Sequence, residues 1–335
     1  MPQHVQVIYQ NKNPDNRVFT VPDKHKNHLP DRLASTPGDN IAEYAGKLCY
    51  DSLLKPKGRS SGPYHEHIHE VGHLSVYAHA VETFSVSYGK DPADGLAAMA
   101  ALHCRPGVWV TSVSRVEFRF SISLRAIIEW EQHGPEGQNA ATAACLHSML
   151  LQYLRPQFPL TLAPVKADNE YPMVAPDLFI RPCDPLGERE QWVSLYMSGV
   201  SRDLLQELVR HHYQANPSVR STRYCDESGA KTVMPPAAAH NAHARGIALF
   251  ARIYAQRNYT AMFTAAKDLG LNEKAARGVA RSCLLGATET ELVYSLSRFQ
   301  AKHILGLRVR PHADQEISDL ADKMREALLP VWGAL

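Results

Sequence analysis

Apolar residues recur along this chain in two periods, one helical and one alternating. In SRDLLQELVRHH, Leu204, Leu205, Leu208 and Val209 fall on one helical face, and Ser201 stands where an N-cap oxygen is needed. Helical spacing also marks the stretch from Ile41 (IAEYAGKLCYDSLL), residues 65–71, and AATAACLHSMLLQYLRPQF, which Pro156 closes. Further along it predicts helices over 238–256, 258–268 and 272–285, the last opened by Asn272. A long helix follows after Glu289, ending before Pro311, and a final one runs from about Asp314 to Leu328. VETFSVSY (81–88) alternates as a strand, and residues 112–132 read as strand then helix. Polar, Pro- and Gly-bearing stretches predict an extended arm over 10–40, loops at 54–64 and 225–236, and a surface excursion over 160–190.

Two short echoes run through this pattern. SVSR at 112–115 resembles GVSR at 199–202, and SISLRAIIEW at 121–130 resembles the Arg-bearing helix near 297–308. A partial duplication and chance likeness between amphipathic segments both stay open.

Composition narrows the function classes only a little. The chain has 335 residues and a net charge of +2, so a large core is possible and no nucleic-acid footprint is forced. Six cysteines lie without CxxC spacing, as in a reduced cytoplasmic protein. No run approaches the ~18 apolar residues of a membrane span, and the N-terminus lacks a basic-then-apolar signal pattern.

The chemistry concentrates in SGVSRDLLQELVRHHYQANPSVRSTRY (198–224). Arg210 and Arg223 offer planar donor forks suited to phosphate or carboxylate, and His211 and His212 add donors that can change charge near neutral pH. Such a set suits an anionic, planar, hydrogen-bonding ligand such as a nucleotide or flavin. A rival motif is His69-Glu70-x-x-His73 with His79 beyond it, the pattern of a zinc protease. Val76 stands where such a protease needs a glycine turn, so no metal site is expected.

Arg210-His211, Ser221, Arg223 and Tyr224 resemble the signature of the flavin-dependent thymidylate synthases, the ThyX family; His212 replaces its second Arg and Glu207 its Gln. GHLSVYAHAVETFSVS (72–87), ARSCLL (280–285) and GLRVRPHADQEI (306–317) resemble three further blocks of that family in the same order. The resemblance implies an α+β fold of ThyX type: a central sheet with long helices, enlarged by an insertion. The expected organisation is a single catalytic domain over 1–335, with an arm over 1–40 and an inserted segment at about 90–190, which should carry its own packed elements.

The resemblance further implies FAD as hydride carrier, NADPH as reductant and methylenetetrahydrofolate as one-carbon donor, in a homotetramer whose sites draw on several subunits. Arg308 is the expected catalytic residue, polarising the pyrimidine during C5-methylation. Glu207, Ser221, Arg223 and Arg281 join Arg308 as expected nucleotide ligands, and His79, Arg210, His211, His212, His303 and His312 as expected flavin ligands. Ser297 and Phe299 depart from the family's Asn and Arg. Glu207 suits a ribose 2′-hydroxyl, so UMP is an expected substrate beside dUMP, as in a secondary-metabolism member. A flavin- or nucleotide-binding homologue without catalysis is the alternative.

Overall fold

The computed structural model describes residues 3–12, 17–28, 36–53, 59–89, 92–112, 114, 116–133, 140–165 and 178–335. Parts of the expected arm (13–16 and 29–35), of the loop at 54–64 (54–58), of the surface excursion (166–177) and of the SVSR echo (113 and 115) lie outside the described residues.

In chain order, strand β1 (His4–Gln10) precedes helices α1 (Pro37–Cys49) and α2 (Ser61–Glu70), a 3₁₀ turn at Leu74–His79 and strand β2 (Val81–Tyr88). Next come α3 (Pro92–His103), β3 (Val108–Ser112), β4 (Glu117–Ser123), α4 (Leu124–His133), α5 (Ala140–Leu154) and β5 (Leu178–Pro182). The C-terminal half holds β6 (Trp192–Ser201), α6 (Arg202–Leu208), β7 (Ala215–Val219), α7 (Pro236–Ala239), α8 (Ala242–Asp268), α9 (Glu273–Ala280), β8 (Glu289–Ser297), α10 (Arg298–Arg308) and α11 (Gln315–Trp332).

The fold is α+β, as expected. Its strands form two four-stranded sheets, in the orders β1-β6-β8-β7 and β3-β4-β2-β5, antiparallel throughout. Side chains alternate across each strand, so the first sheet has two different faces. Leu195, Met197, Leu292, Tyr294 and Leu296 meet α6, α10 and α11 on one face. Tyr196 and Val293 turn the other way, into the larger core formed with α1, the 3₁₀ turn and the second sheet. Strands β3, β4 and β5 of the second sheet, with α3, α4 and α5, lie within residues 90–190.

Capping hydroxyls set the helix starts. Ser201 accepts from Leu204 N at 2.9 Å and Ser297 from Gln300 N at 3.1 Å, so β6 and β8 pass into helices without a loop. The expected helix after Glu289 is therefore β8 followed by α10. Six of the nine β8 residues form an unbroken buried run, Leu292–Ser297, which reads equally well as helix or core strand. The helices expected at 238–256 and 258–268 are one helix, α8, because Arg257 and Asn258 break no apolar period. The Asn- and Ser-bearing stretch after His212 holds the edge strand β7, whose Pro217 lacks a ladder donor but sits at the sheet's margin.

Candidate functional site

The structure gathers four expected site residues where α6 ends beside α10. Arg308 donates from Nε to His211 Nε2 at 3.1 Å and from Nη1 to Glu207 Oε2 at 2.9 Å. The His303 ring lies edge-on to His211, with centroids 5.8 Å apart. His211 is held from behind: its carbonyl accepts from the Tyr294 hydroxyl at 2.9 Å and from Gln300 Nε2 at 3.2 Å. Burial, then the Arg308 and His303 charges, lower the His211 pKa to about 4, so it meets Arg308 as a neutral acceptor. The guanidinium is thus fixed on two sides while 20 % of its side chain stays open to a ligand. Glu207 pairs with Arg308 across the helix gap, and the pairing within its own helix does not form.

Arg210 and His212 are exposed next to this cluster, with His212 Nδ1 3.0 Å from the Arg210 carbonyl. Beside them Arg189 lies over the Phe299 ring at 4.5 Å and over Tyr213 at 6.0 Å, a stacked surface that the sequence reading missed. The signal available was Phe299 at a position where the family carries Arg. His312 is exposed after α10.

His79 behaves differently from expectation. It is 1 % exposed, with Nδ1 2.7 Å from Ser295 Oγ on the far face of the first sheet, and burial lowers its pKa to about 3. In this conformation it has no surface to offer a flavin. Its Nε2 is buried without a hydrogen-bond partner.

The remaining expected ligands lie away from Arg308. Ser221 and Tyr224 line an open cavity of about 1320 Å³ that also holds Lys47, Arg59, Lys274 and Arg277. The Ser221 amide donates to the Cys49 carbonyl at 3.0 Å, and Ser221 Oγ accepts from the Arg223 amide at 3.3 Å, which fixes the turn after β7. Lys274 lies 4.5 Å over the Tyr224 ring, and Arg277 donates to the Tyr224 carbonyl at 3.1 Å. Arg277 thus faces this cavity. Arg223 lies against Gly278 of α9, and Arg281 is exposed just after that helix.

The zinc-protease pattern does not assemble. Helix α2 stops at Glu70 and Gly72 adopts φ +68°, so His69 and His73 do not share a helical face. His69 Nε2 meets the Thr161 carbonyl and His73 Nδ1 meets the Tyr50 hydroxyl, both at 2.8 Å. Cys225 is buried, its thiol pushed up to about 11 by burial, and it makes only a 3.7 Å contact to the Cys49 carbonyl.

Residues 191–332 match the family model described as thymidylate synthase complementing protein. Over that segment the chain is similar to the ThyX family. It is 33% identical over 150 residues to the flavin-dependent thymidylate synthase of Mycobacterium marinum, and 34% identical over 150 residues to that of Mycobacterium tuberculosis. Each alignment covers 43% of this chain and 60% of the relative. The chain thus spans about three fifths of the length of the curated relatives it matches. Among solved structures, ThyX from Helicobacter pylori with FAD and dUMP is 19% identical, covering 55% of this chain and 78% of that one, with a TM-score of 0.33. The UMP/dUMP methylase PolB from Streptomyces cacaoi, bound with 5-Br UMP, is 18% identical over 43% of this chain and 70% of its own, also at 0.33.

Proposed function

We propose that this protein is a flavin-dependent enzyme that methylates C5 of a uridine 5′-monophosphate, UMP or dUMP, with methylenetetrahydrofolate and NADPH as co-substrates. The observation that carries the reading is the Arg308 guanidinium, held between Glu207 and neutral His211 yet open on one side. Adding a methyl group at C5 builds negative charge on the pyrimidine oxygens. A guanidinium already fixed in place stabilises that charge without reorganising. Glu207 binds Arg308 through Oε2, which leaves Oε1 to accept from a ribose hydroxyl.

The residues near α6 and α10 fit a flavin. Arg210, His212 and His303 supply exposed donors for its phosphates or ring edge, and Tyr213 with Phe299 supplies apolar ring surface. Bound there, FAD would supply the hydride that completes the methyl group. His79 takes no part in that set, and neither does His312 by any contact of its own. Ser221, Arg223 and Arg281 serve the nucleotide phosphate, with Arg277 and Lys274 beside them in the cationic cavity.

These two sets lie on different sides of the first sheet, so a further copy of the chain completes the site, as the resemblance to a tetrameric family implies. Helix α8 supports this assembly. It exposes Ile247, Phe250 and Tyr254 by 59%, 72% and 61%, an apolar stripe that water does not favour. The setting is the cytoplasm.

The test is direct. The purified protein should be yellow, release FAD on denaturation, and convert UMP or dUMP to its 5-methyl product with methylenetetrahydrofolate and NADPH. A protein that holds flavin and nucleotide yet yields no methylated product would instead be a binding homologue. The Glu207–Arg308 ion pair favours that second reading, because it partly neutralises the proposed catalytic charge.

A further inference from the structure

The two sheets repeat one plan. Written from the edge strand beside β2 or β6, the second sheet runs β5-β2-β4-β3 and the first runs β1-β6-β8-β7, with the outer strands exchanged: β1, which precedes β2 in the chain, joins the first sheet, and β5, which precedes β6, joins the second. The registers agree as well. Val81 pairs with Ser123 and Thr83 with Ser121 across β2 and β4; Trp192 pairs with Ser297 and Ser194 with Ser295 across β6 and β8. At both centres the paired hydroxyls touch: Thr83 to Ser121 at 3.0 Å, Ser194 to Ser295 at 2.6 Å. Both β4 and β8 end in a serine that caps the helix it enters, Ser123 on Ala126 N and Ser297 on Gln300 N. Their sequences, EFRFSIS and ELVYSLS, share Glu, two Ser and an aromatic at matching places. The element order β2-α3-β3-β4-α4-α5 therefore matches β6-α6-β7-β8-α10-α11, apart from the excursion between β7 and β8. The family match covers the second set alone, residues 191–332.

The copies differ in what hangs from them. Between β1 and β2 the N-terminal copy carries residues 11–80, whereas only 183–191 join β5 to β6. Between β7 and β8 the C-terminal copy carries 220–288, whereas 113–116 suffice between β3 and β4. The two long excursions meet at the cationic cavity: Tyr50, Arg59 and His67 come from the first, Ser221, Lys274 and Arg277 from the second. The equivalent place on the other side has neither excursion. Counted from the matched registers without a gap, Glu207, His211, His303 and Arg308 correspond to Leu96, Ala100, Glu129 and Gly134, so the N-terminal copy has no counterpart of the arginine cluster.

We propose that this chain is an internal duplication in which the N-terminal copy is a built-in partner subunit. One anion-binding cavity per chain is closed by both copies of the same molecule, and the cavity related to it by the repeat has been deleted. An assembly of four such units then needs two chains, with twice the 37.3 kDa mass. The ligand class, a nucleoside monophosphate, rests on the proposed function; the closure of the cavity within one chain does not.

Two measurements separate these claims. Arg59→Glu and Arg277→Glu should each weaken UMP and dUMP binding at least tenfold, wild type should bind one nucleotide per chain, and a mixture of the two variants should stay as weak as either. Recovery of part of the wild-type sites on mixing, or two sites per chain, overturns the proposal. Independently of any nucleotide, a benzophenone side chain installed at position 59 should on irradiation join residues 221–224 or 274–277 of its own chain, giving a product of single-chain mass. A product of two-chain mass joined at those residues overturns the closure within one chain. If wild type binds neither nucleotide while the crosslink is internal, the nucleotide reading falls and the built-in partner stands.

Discussion

At the centre of each sheet two strands meet through a buried hydroxyl pair, and what surrounds each pair differs. Thr83 and Ser121 are served by neutral neighbours: Asn11 Nδ2 lies 3.4 Å from Thr83, and the Glu190 carbonyl a further 3.4 Å contact. Ser295, in the other pair, binds His79, which arrives from the N-terminal half. The first arrangement draws on residues 72 and 107 positions away. The second makes the C-terminal sheet depend on a residue 216 positions away. On the opposite face the contrast widens, since among the described residues only the C-terminal sheet carries an arginine held by a carboxylate and a neutral imidazole. One plan has been kept for packing and the other for chemistry.

The largest expected effect breaks the chemical side of that contrast. Arg308→Ala should lower methylation turnover by about a hundredfold or more while the circular dichroism spectrum and melting temperature stay near wild type, because one preorganised donor is lost from a partly exposed position. Glu129→Ala, at the place matching His303 in the other copy, removes only a surface ion pair with Arg125 and should leave turnover unchanged. Near-normal turnover of the Arg308 variant removes it from catalysis.

Glu207→Gln tests the sugar. Hydrogen bonds to charged groups are worth about 1.5–3 kcal/mol, so the ratio of kcat/KM for UMP over dUMP should fall by about one to two orders of magnitude. Weaker holding of Arg308 would slow both substrates alike and leave that ratio in place. A ratio equal to that of wild type makes Glu207 an anchor for Arg308 and nothing more.

Packing is probed by a matched pair of serine deletions. Ser295→Ala leaves the buried His79 ring with neither nitrogen bonded, which should cost about 1–3 kcal/mol in denaturant unfolding. Ser121→Ala leaves Thr83 its contacts to Asn11 and Glu190 and should cost about 0.5–1.5 kcal/mol. Equal losses would mean that the His79 bond adds no stability to its sheet.

Much of this was written in local sequence. Ser201 and the Leu204–Leu208 spacing define α6, and the blocks at 198–224 and 306–317 named Glu207, His211 and Arg308 before any contact was visible. The contact itself was not readable, because it joins residues 101 positions apart through tertiary packing. Strand β8 was misread since its buried run carries no period, and β7 was not foreseen because Pro217 and two polar residues mask a short edge strand. His79 was placed by motif on the ligand side, whereas the alternation that turns Ser295 inward also takes His79 into the core. The echo at 121–130 falls where β4 and α4 match β8 and α10 in register. The echo at 112–115 does not, since 199–202 match 88–91 by register, from the last residue of β2 onward.

The smallest expected effect concerns Cys225, which follows the cavity-lining Tyr224 in the chain. Burial has pushed its pKa up to about 11, so almost none is thiolate at neutral pH. Its sulfur points to the Cys49 carbonyl at 3.7 Å, and its amide is spent on the Ser221 carbonyl at 3.0 Å. No described base lies within hydrogen-bond reach of it. A nucleophile needs an available thiolate and a path to the ring, and this one has neither. A serine hydroxyl in the same place can donate to the same carbonyl, so the turn that positions Ser221 and Arg223 should survive. Cys225→Ser is therefore expected to keep wild-type kcat and nucleotide affinity within about twofold, with less than about 1.5 kcal/mol lost in stability. Loss of all turnover with flavin and nucleotide still bound would return a thiol to the mechanism, and with it the contrast between the copies would rest on sulfur and not on Arg308.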